Sequence, residues 1–208
     1  YNLYHEFQMD NLHTLANYYL SHIDNIMTNT SQKTYHLLGW SMGGLISLEI
    51  ASILEKRGCA KINVYLLDTI ILDDDLIQLN NNYKKDMEKN IWKLKERMFS
   101  QGYDESYIKR RISLIDIEDK ISQQNLSSTL KKTRIILFKA INIMPTPFIE
   151  MAHHIKSLPY NNVDKIIADK SKLEFVTLNC HHENIFAQEE QSVYQVLTKC
   201  MLNKREMI

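Results

Sequence analysis

A serine lies in a glycine-rich stretch whose residue types and spacing suit acyl transfer. Residues 39–44 read GWSMGG, which contains the pattern Gly-x-Ser-x-Gly around Ser41. An apolar run at 34–38 precedes this stretch, and apolar residues at helical spacing follow it until Gly58. A strand, a sharp turn and a helix in this order present a serine hydroxyl above a sheet, as a nucleophile elbow does. The pattern predicts a nucleophilic Ser41, with an ordinary glycine-rich turn as the alternative.

The neighbours of Ser41 have predicted roles in the same turn. Side chains at Gly39 and Gly43 are expected to collide with the adjoining strand and helix, so glycine is expected at both positions. The backbone amide of Met42, at the N-terminus of the following helix, can donate to an oxyanion that forms on a bound carbonyl. Trp40 and Met42 are also candidates for lining an acyl pocket, and ordinary packing is the alternative for both side chains.

A serine nucleophile also needs an acid and a base. The histidine takes the serine proton, and the carboxylate orients and stabilises that histidine. The strand-like run 62–67 ends at Asp68, which is therefore the leading acid, with a turn-forming aspartate as the alternative. The acidic cluster 73–75 is a nearby rival, but it better suits a solvated loop or a helix start.

Two adjacent histidines compete for the role of base. His181 and His182 directly follow the strand-like run 173–178. A histidine after a late strand completes the chain order Ser, Asp, His that hydrolases with this elbow use. The residues alone leave both histidines open.

Composition narrows the classes of function. The 208 residues carry 25 basic and 25 acidic side chains, so the formal net charge is zero. The net charge therefore does not indicate binding to nucleic acid or to an anionic membrane. No apolar run approaches the roughly 18 residues of a membrane span, and the N-terminus lacks signal-peptide features, so a cytoplasmic protein is expected. Glu150, His153 and His154 lack a further ligand and the cysteines lack metal-type spacing, so neither a metal nor a bound cofactor is predicted.

The elements that must position these residues alternate between helix and strand, which predicts an α/β fold with a mainly parallel sheet. A first helix is expected from about Asp10, a helical insertion over 75–130, a strand over 134–138, and a closing helix carrying Val193, Leu197, Cys200 and Met201. The whole of 1–208 is expected to be one domain. Few residues precede Ser41, so we expect the N-terminal strands of the domain to be missing, with poor folding and weak activity if they are truly absent.

These motifs together resemble the thioesterase domains that end nonribosomal peptide and polyketide synthetases, which are α/β-hydrolases. The resemblance is densest over 12–69, and it implies that Asp68 is the acid and that the insertion 75–130 is a lid over the nucleophile. The family's histidine motif, Gly-x-His-x-x-Met/Ile-Leu/Phe, fits His182 with Ile185 and Phe186 in the apolar positions, which favours His182 over His181 as the base. Cys180 occupies the usual glycine position.

The resemblance implies release of a peptidyl or polyketidyl chain from the phosphopantetheine arm of an acyl or peptidyl carrier protein. Such a serine thioesterase works through an acyl-serine ester and ends by hydrolysis or macrocyclisation. Editing thioesterases also resemble this chain, but tend to carry the acid one strand later. The run 134–138 has no carboxylate after it before Glu150, which favours the synthetase-terminal type. A stand-alone esterase or lipase would use the same triad without a carrier protein, and a noncatalytic binding module would use the fold alone.

Overall fold

The computed structural model describes residues 10–26, 34–143, 149–186, 194–195 and 197–198. Four strands and five helices occupy these residues, together with single 3₁₀ turns at Val163–Lys165, Lys170–Lys172 and His182–Asn184. In chain order they are α1 (Leu12–Ile26), β1 (Tyr35–Trp40), α2 (Met42–Lys56), β2 (Ile62–Leu67), α3 (Asp74–Ser100), α4 (Glu105–Ser122), β3 (Arg134–Ala140), α5 (Ile149–Ser157) and β4 (Leu173–Leu178).

The described strands form one parallel sheet in the order β1-β2-β3-β4. Trp40 pairs with Leu67, and Leu67 pairs in turn with Phe138, so these strands end at nearly the same level. Parallel strands bring their carboxyl ends to one edge of the sheet. The residues that follow β1, β2 and β4 therefore meet there, and the predicted parallel α/β fold is confirmed.

Alternate residues of the strands bury the two faces of the sheet. On one face, Leu37, Val64 and Leu137 pack in a cluster with apolar side chains of α1 and α2. On the other face, Leu67 and Phe138 belong to a smaller cluster that includes Leu178 and Ile185. Burial on both faces explains why β2 and β3 are almost continuously apolar in sequence.

Two glutamates of α2 form hydrogen bonds with the loop that leads into β3. Glu55 accepts hydrogen bonds from the backbone N–H groups of Lys131, Lys132 and Thr133 and from the Thr133 hydroxyl, at 2.7–2.8 Å. Partial burial would raise the pKa of this carboxyl, but the hydrogen bonds outweigh burial and hold the pKa below its usual value. The buried Glu49 accepts from Ser127 N at 2.8 Å in the same way. These bonds fix the chain between α4 and β3.

The segment 75–130 contains the expected helices. Asp73 and Asp104 cap α3 and α4 by accepting from the N–H groups of Leu76 and Tyr107, at 3.0 and 2.8 Å. The break between the helices lies at Gly102, whose φ of 86° suits glycine. That these helices act as a lid stays a prediction.

Two features of the chain differ from or lie beyond the sequence interpretation. α5 follows β3 at a place where the sequence predicted no helix, because this nine-residue helix is too short to give a clear period. The closing helix lies outside the described residues except for 194–195 and 197–198.

No helix in the described ranges is long and apolar enough to cross a membrane. Within those ranges, no three His, Cys, Asp or Glu side chains lie close enough together to hold a metal ion.

Candidate active site

Ser41 occupies a strained turn between β1 and α2. Its φ of 53° and ψ of −122° lie in a region that non-glycine residues rarely adopt. The neighbouring chain holds this conformation: Ser41 N donates to Leu67 O at 3.0 Å, and the Thr69 hydroxyl donates to Ser41 O at 3.1 Å. Gly44 N also donates to Ser41 O, at 3.0 Å. Strain sustained by surrounding bonds in this way is typical of a nucleophile elbow.

The structure bears out one of the two steric predictions for the glycines around Ser41. A Cβ at Gly39 would lie 2.3 Å from Gly43 O, so glycine is needed at position 39 as expected. A Cβ at Gly43 would meet no atom within 4 Å, so the expectation for Gly43 is wrong. The second constraint lies instead at Gly44, where a Cβ would come within 1.8 Å of the Thr69 hydroxyl. The turn is tight because the backbone at Gly43 approaches Gly39.

We predict opposite effects for alanine at the two glycines of the motif. Gly39→Ala should lower the free energy of unfolding by about 2 kcal/mol or more, because its methyl group overlaps rigid backbone. Gly43→Ala should leave the free energy of unfolding unchanged or raise it by up to about 1 kcal/mol, since alanine favours helix. Urea denaturation of both variants measures this difference. Equal denaturation midpoints would contradict the steric account.

Asp68 and His182 form a hydrogen-bonded pair across the carboxyl edge of the sheet. His182 Nδ1 donates to Asp68 Oδ2 at 2.9 Å, and the Asp68 side chain is only 8% exposed. The other carboxylate oxygen, Oδ1, accepts from Ala140 N and from Asn161 Nδ2, each at 3.2 Å. Asp68 itself has a left-handed backbone with a φ of 47°. A buried, oriented carboxylate on Nδ1 leaves Nε2 as the ring nitrogen available to a nucleophile.

The two adjacent histidines differ in their contacts. His182 contacts Asp68, whereas the Nδ1 atom of His181 is buried with no hydrogen-bond partner among the described residues. Trp40 stacks on the His182 ring, with ring centroids 5.3 Å apart and planes inclined by 28°. Phe186 packs edge-on against Trp40, with ring centroids 5.7 Å apart. The structure therefore places Trp40 against the proposed base.

Two cavities meet at Ser41. The first has a volume of about 240 Å³. Its walls contain Ser41, Asp68 and His182 together with the apolar side chains Ile70, Ile143, Ala152 and Ile155. Asn142, Lys156 and Glu183 complete the lining. A serine, a histidine and a carboxylate thus share one concave and mostly apolar space, which suits an acyl chain.

The second cavity, of about 250 Å³, lies between Ser41 and the helices α3 and α4. It shares Ser41, Asp68 and Ile70 with the first cavity, and Met42 is one of its lining residues. Polar groups of α3 and α4 also reach it: Asn80, Glu118, Asp119 and Ser122. Met42 is the first residue of α2, so its backbone N–H has no partner within the helix. That donor next to Ser41 is what a developing oxyanion requires.

The rival acid cluster 73–75 has a structural role at the start of α3. Asp73 receives hydrogen bonds from Lys165 Nζ at 2.8 Å and from Leu76 N at 3.0 Å. Asn162 Nδ2 also donates to Asp73, at 2.9 Å. Lys165 and the other donors lower the pKa of Asp73 to about 2. Asp73 is therefore a capping residue.

Sequence reasoning missed two lysines near Asp68. Lys139 of β3 is buried and donates to the backbone carbonyls of Ile155, Lys156 and Leu158 at the end of α5. Lys156 donates back to Ala140 O on β3. Burial lowers the pKa of both lysines, and the nearby charge of Asp68 acts in the opposite direction. These hydrogen bonds hold the end of α5 against β3, and α5 lines the first cavity. Nothing in the local sequence marks the two lysines as partners.

The family model described as "Thioesterase domain" matches residues 2–70 of this chain. No curated protein sequence matches the chain significantly. The matched segment includes Ser41, Met42 and Asp68, and it ends before α3.

Solved thioesterase structures share the fold. The NocB thioesterase domain, in covalent complex with a fluorophosphonate nocardicin G analog, has a TM-score of 0.55 and 16% identity, over 92% of this chain and 75% of that one. The RedJ thioesterase of the prodiginine pathway in Streptomyces coelicolor has a TM-score of 0.54 and 16% identity, over 91% and 72%. YbtT, a type II thioesterase from the yersiniabactin pathway, has a TM-score of 0.56 and 13% identity, over 90% and 73%. Residues 2–70 thus match the thioesterase-domain family, and the chain has the α/β-hydrolase fold of solved thioesterase domains.

Proposed function

We propose that this protein is a serine thioesterase that releases a peptidyl or polyketidyl chain from the phosphopantetheine arm of a carrier protein. One observation carries the proposal: Asp68 holds His182 through Nδ1 at 2.9 Å, and both line one cavity with the strained Ser41. Three residues from the ends of three different strands meet there only because the fold brings them together. The roles are nucleophile for Ser41, base for His182 and acid for Asp68.

The first half of the reaction forms an acyl-enzyme. His182 Nε2 takes the proton of the Ser41 hydroxyl while the serine oxygen attacks the thioester carbonyl. The carbonyl oxygen becomes an oxyanion, to which the Met42 N–H donates. Such a donor typically stabilises the transition state by roughly 3 kcal/mol. The tetrahedral intermediate collapses, the C–S bond breaks, and the imidazolium gives its proton to the leaving pantetheine thiolate. Asp68 stabilises the imidazolium between these two steps.

The second half releases the chain. His182 removes a proton from water, or from an amine or hydroxyl within the chain, and the nucleophile attacks the acyl-Ser41 ester. The C–O bond to Ser41 breaks and the proton returns from His182 to the serine oxygen. Water gives a free acid, whereas an internal nucleophile gives a macrocycle. The walls of the two cavities decide between them by admitting or excluding water.

The carrier-bound substrate is supported by two arguments. The solved structures that share this fold include domains and enzymes from natural-product pathways, as their descriptions state. In addition, Asp68 follows the strand directly after the elbow helix, which is the acid position of the synthetase-terminal family that the chain resembles. A type II editing role is the second candidate, since YbtT has a comparable TM-score of 0.56.

The experiment is intact-mass spectrometry after incubation with a carrier protein loaded through phosphopantetheine. One carrier sample bears a peptidyl chain and the other bears an acetyl group. We expect an acyl adduct on the enzyme and faster release from the peptidyl carrier, because the apolar cavity beside Ser41 contacts a long chain and leaves an acetyl group largely unbound.

Three contrary outcomes would change the assignment. Faster release of acetyl groups would favour the editing role. Turnover of simple p-nitrophenyl esters with no action on either carrier would favour a stand-alone esterase. A correctly folded protein that forms no adduct and releases no product with any of these substrates would contradict enzymatic function.

A further inference from the structure

We propose that Asn161 is a positioning residue for the acid, holding the Asp68 carboxylate in the rotamer that meets His182. The inference rests on the proposed function for its catalytic consequence, but its geometry stands on the described contacts. Asn161 lies in the turn between α5 and β4 and is fully buried. It is 93 residues away from Asp68 in sequence.

The side-chain amide of Asn161 bridges two points of the acid loop. Its Nδ2 donates to Asp68 Oδ1 and to the carbonyl oxygen of Thr69, each at 3.2 Å. A flipped amide would place an oxygen against these two acceptors, so the orientation is fixed by chemistry. Together with Ala140 N, Asn161 anchors Oδ1 and leaves Oδ2 for His182.

The backbone around Asn161 also contributes to the position of its side-chain amide. Asn161 and Asn162 both have left-handed backbones, with φ of 50° and 62°, which asparagine tolerates better than most residues. Asn161 O accepts from Ile71 N at 3.0 Å, so main chain as well as side chain contact the loop after β2. The turn is therefore coupled to the position of Asp68.

The two ends of the same amide differ in their hydrogen bonding. Asn161 Oδ1 is buried and has no hydrogen-bond partner in the described structure. An orphaned buried acceptor destabilises the folded state, and such costs concentrate at functional sites. A fully satisfied amide would use both of its ends. Asn161 instead satisfies only the end that faces Asp68 and Thr69.

The neighbouring asparagine provides a matched control. Asn162 is also buried in a left-handed conformation, but its Nδ2 donates to Ile71 O and Asp73 Oδ2, not to Asp68. Glycine tolerates positive φ, so Asn161→Gly and Asn162→Gly each remove one side-chain amide without backbone strain. Both variants should lose stability, whereas only Asn161→Gly removes a donor from the acid.

The experiment compares both glycine variants with wild type in two measurements. The first is kcat and KM for octanoyl-pantetheine. The second is the far-downfield proton NMR signal of His182 Nδ1–H bonded to Asp68, which requires no substrate. We expect Asn161→Gly to lower kcat about tenfold with little change in KM, and to shift or abolish the NMR signal. Asn162→Gly should retain the wild-type signal and kcat.

Three results would overturn the proposal: a wild-type kcat and signal in Asn161→Gly, equal losses in both variants, or a lower kcat with an unchanged signal. If Asn161→Gly does not fold, Asn161→Asp keeps the side-chain shape and replaces the donor by an acceptor, so full kcat in that variant would overturn it as well. Should wild type turn over neither octanoyl-pantetheine nor the loaded peptidyl carrier, the proposed function fails, while the NMR comparison still tests the geometry.

Discussion

Ser41→Ala is expected to lower kcat for thioester release at least about 10⁴-fold and to abolish the acyl-enzyme. Alanine removes the only atom that forms the covalent ester in the proposed mechanism, while the cavity and the oxyanion donor remain. The measurement is single-turnover release from a peptidyl carrier, with intact mass recorded at each time. Binding of the loaded carrier should change little, so the loss should appear in kcat.

Ser47→Ala is the matched control for Ser41→Ala. Ser47 lies on α2, the helix that begins directly after Ser41, and its hydroxyl donates to Gly43 O at 2.9 Å, outside both cavities at Ser41. This variant should react with a fluorophosphonate probe at nearly the wild-type rate, whereas Ser41→Ala should not be labelled. Labelling or thioester turnover by Ser41→Ala at an undiminished rate would reject Ser41 as the nucleophile.

His182→Ala is expected to produce a loss of similar size, about 10⁴-fold in kcat, because no base then remains for the Ser41 proton. His181→Ala should keep kcat within about tenfold of wild type, since Asp68 bonds to His182. The two adjacent substitutions are best compared by burst kinetics, which separate acylation from release. A larger loss in His181→Ala would mean that the wrong histidine has been assigned as the base.

The elbow could be predicted because its signals are local. A strand, a glycine-rich turn and an amphipathic helix adjoining one another in sequence specify Ser41 by pattern, and the end of the next strand specifies Asp68. Caps at Asp73 and Asp104 are equally local, because a capping side chain bonds to a backbone group three residues away. These parts of the fold need no knowledge of distant contacts.

The supporting residues of the site could not be predicted, because their roles arise from long-range contacts. Asn161 looks like an ordinary turn residue in sequence, and its bond to Asp68 spans 93 positions. Lys139 looks like a charged residue interrupting an apolar strand until the end of α5 supplies its acceptors. The steric role of Gly44 likewise depends on Thr69. The resemblance to the family motif favoured His182 over His181, and the structure adds the contact of His182 with Asp68.

The contact between Gly44 and Thr69 also limits how the site can be re-engineered. Any side chain at position 44 would overlap the Thr69 hydroxyl, and trimming Thr69 to make room would remove its bond to Ser41 O. Positions 44 and 69 therefore have to be varied together in a mutant library. Alanine or serine at one of the two positions is combined with every residue at the other position. Ala152 and Ile155 of α5 line the first cavity, so substitutions at these two positions are expected to change which chain is accepted.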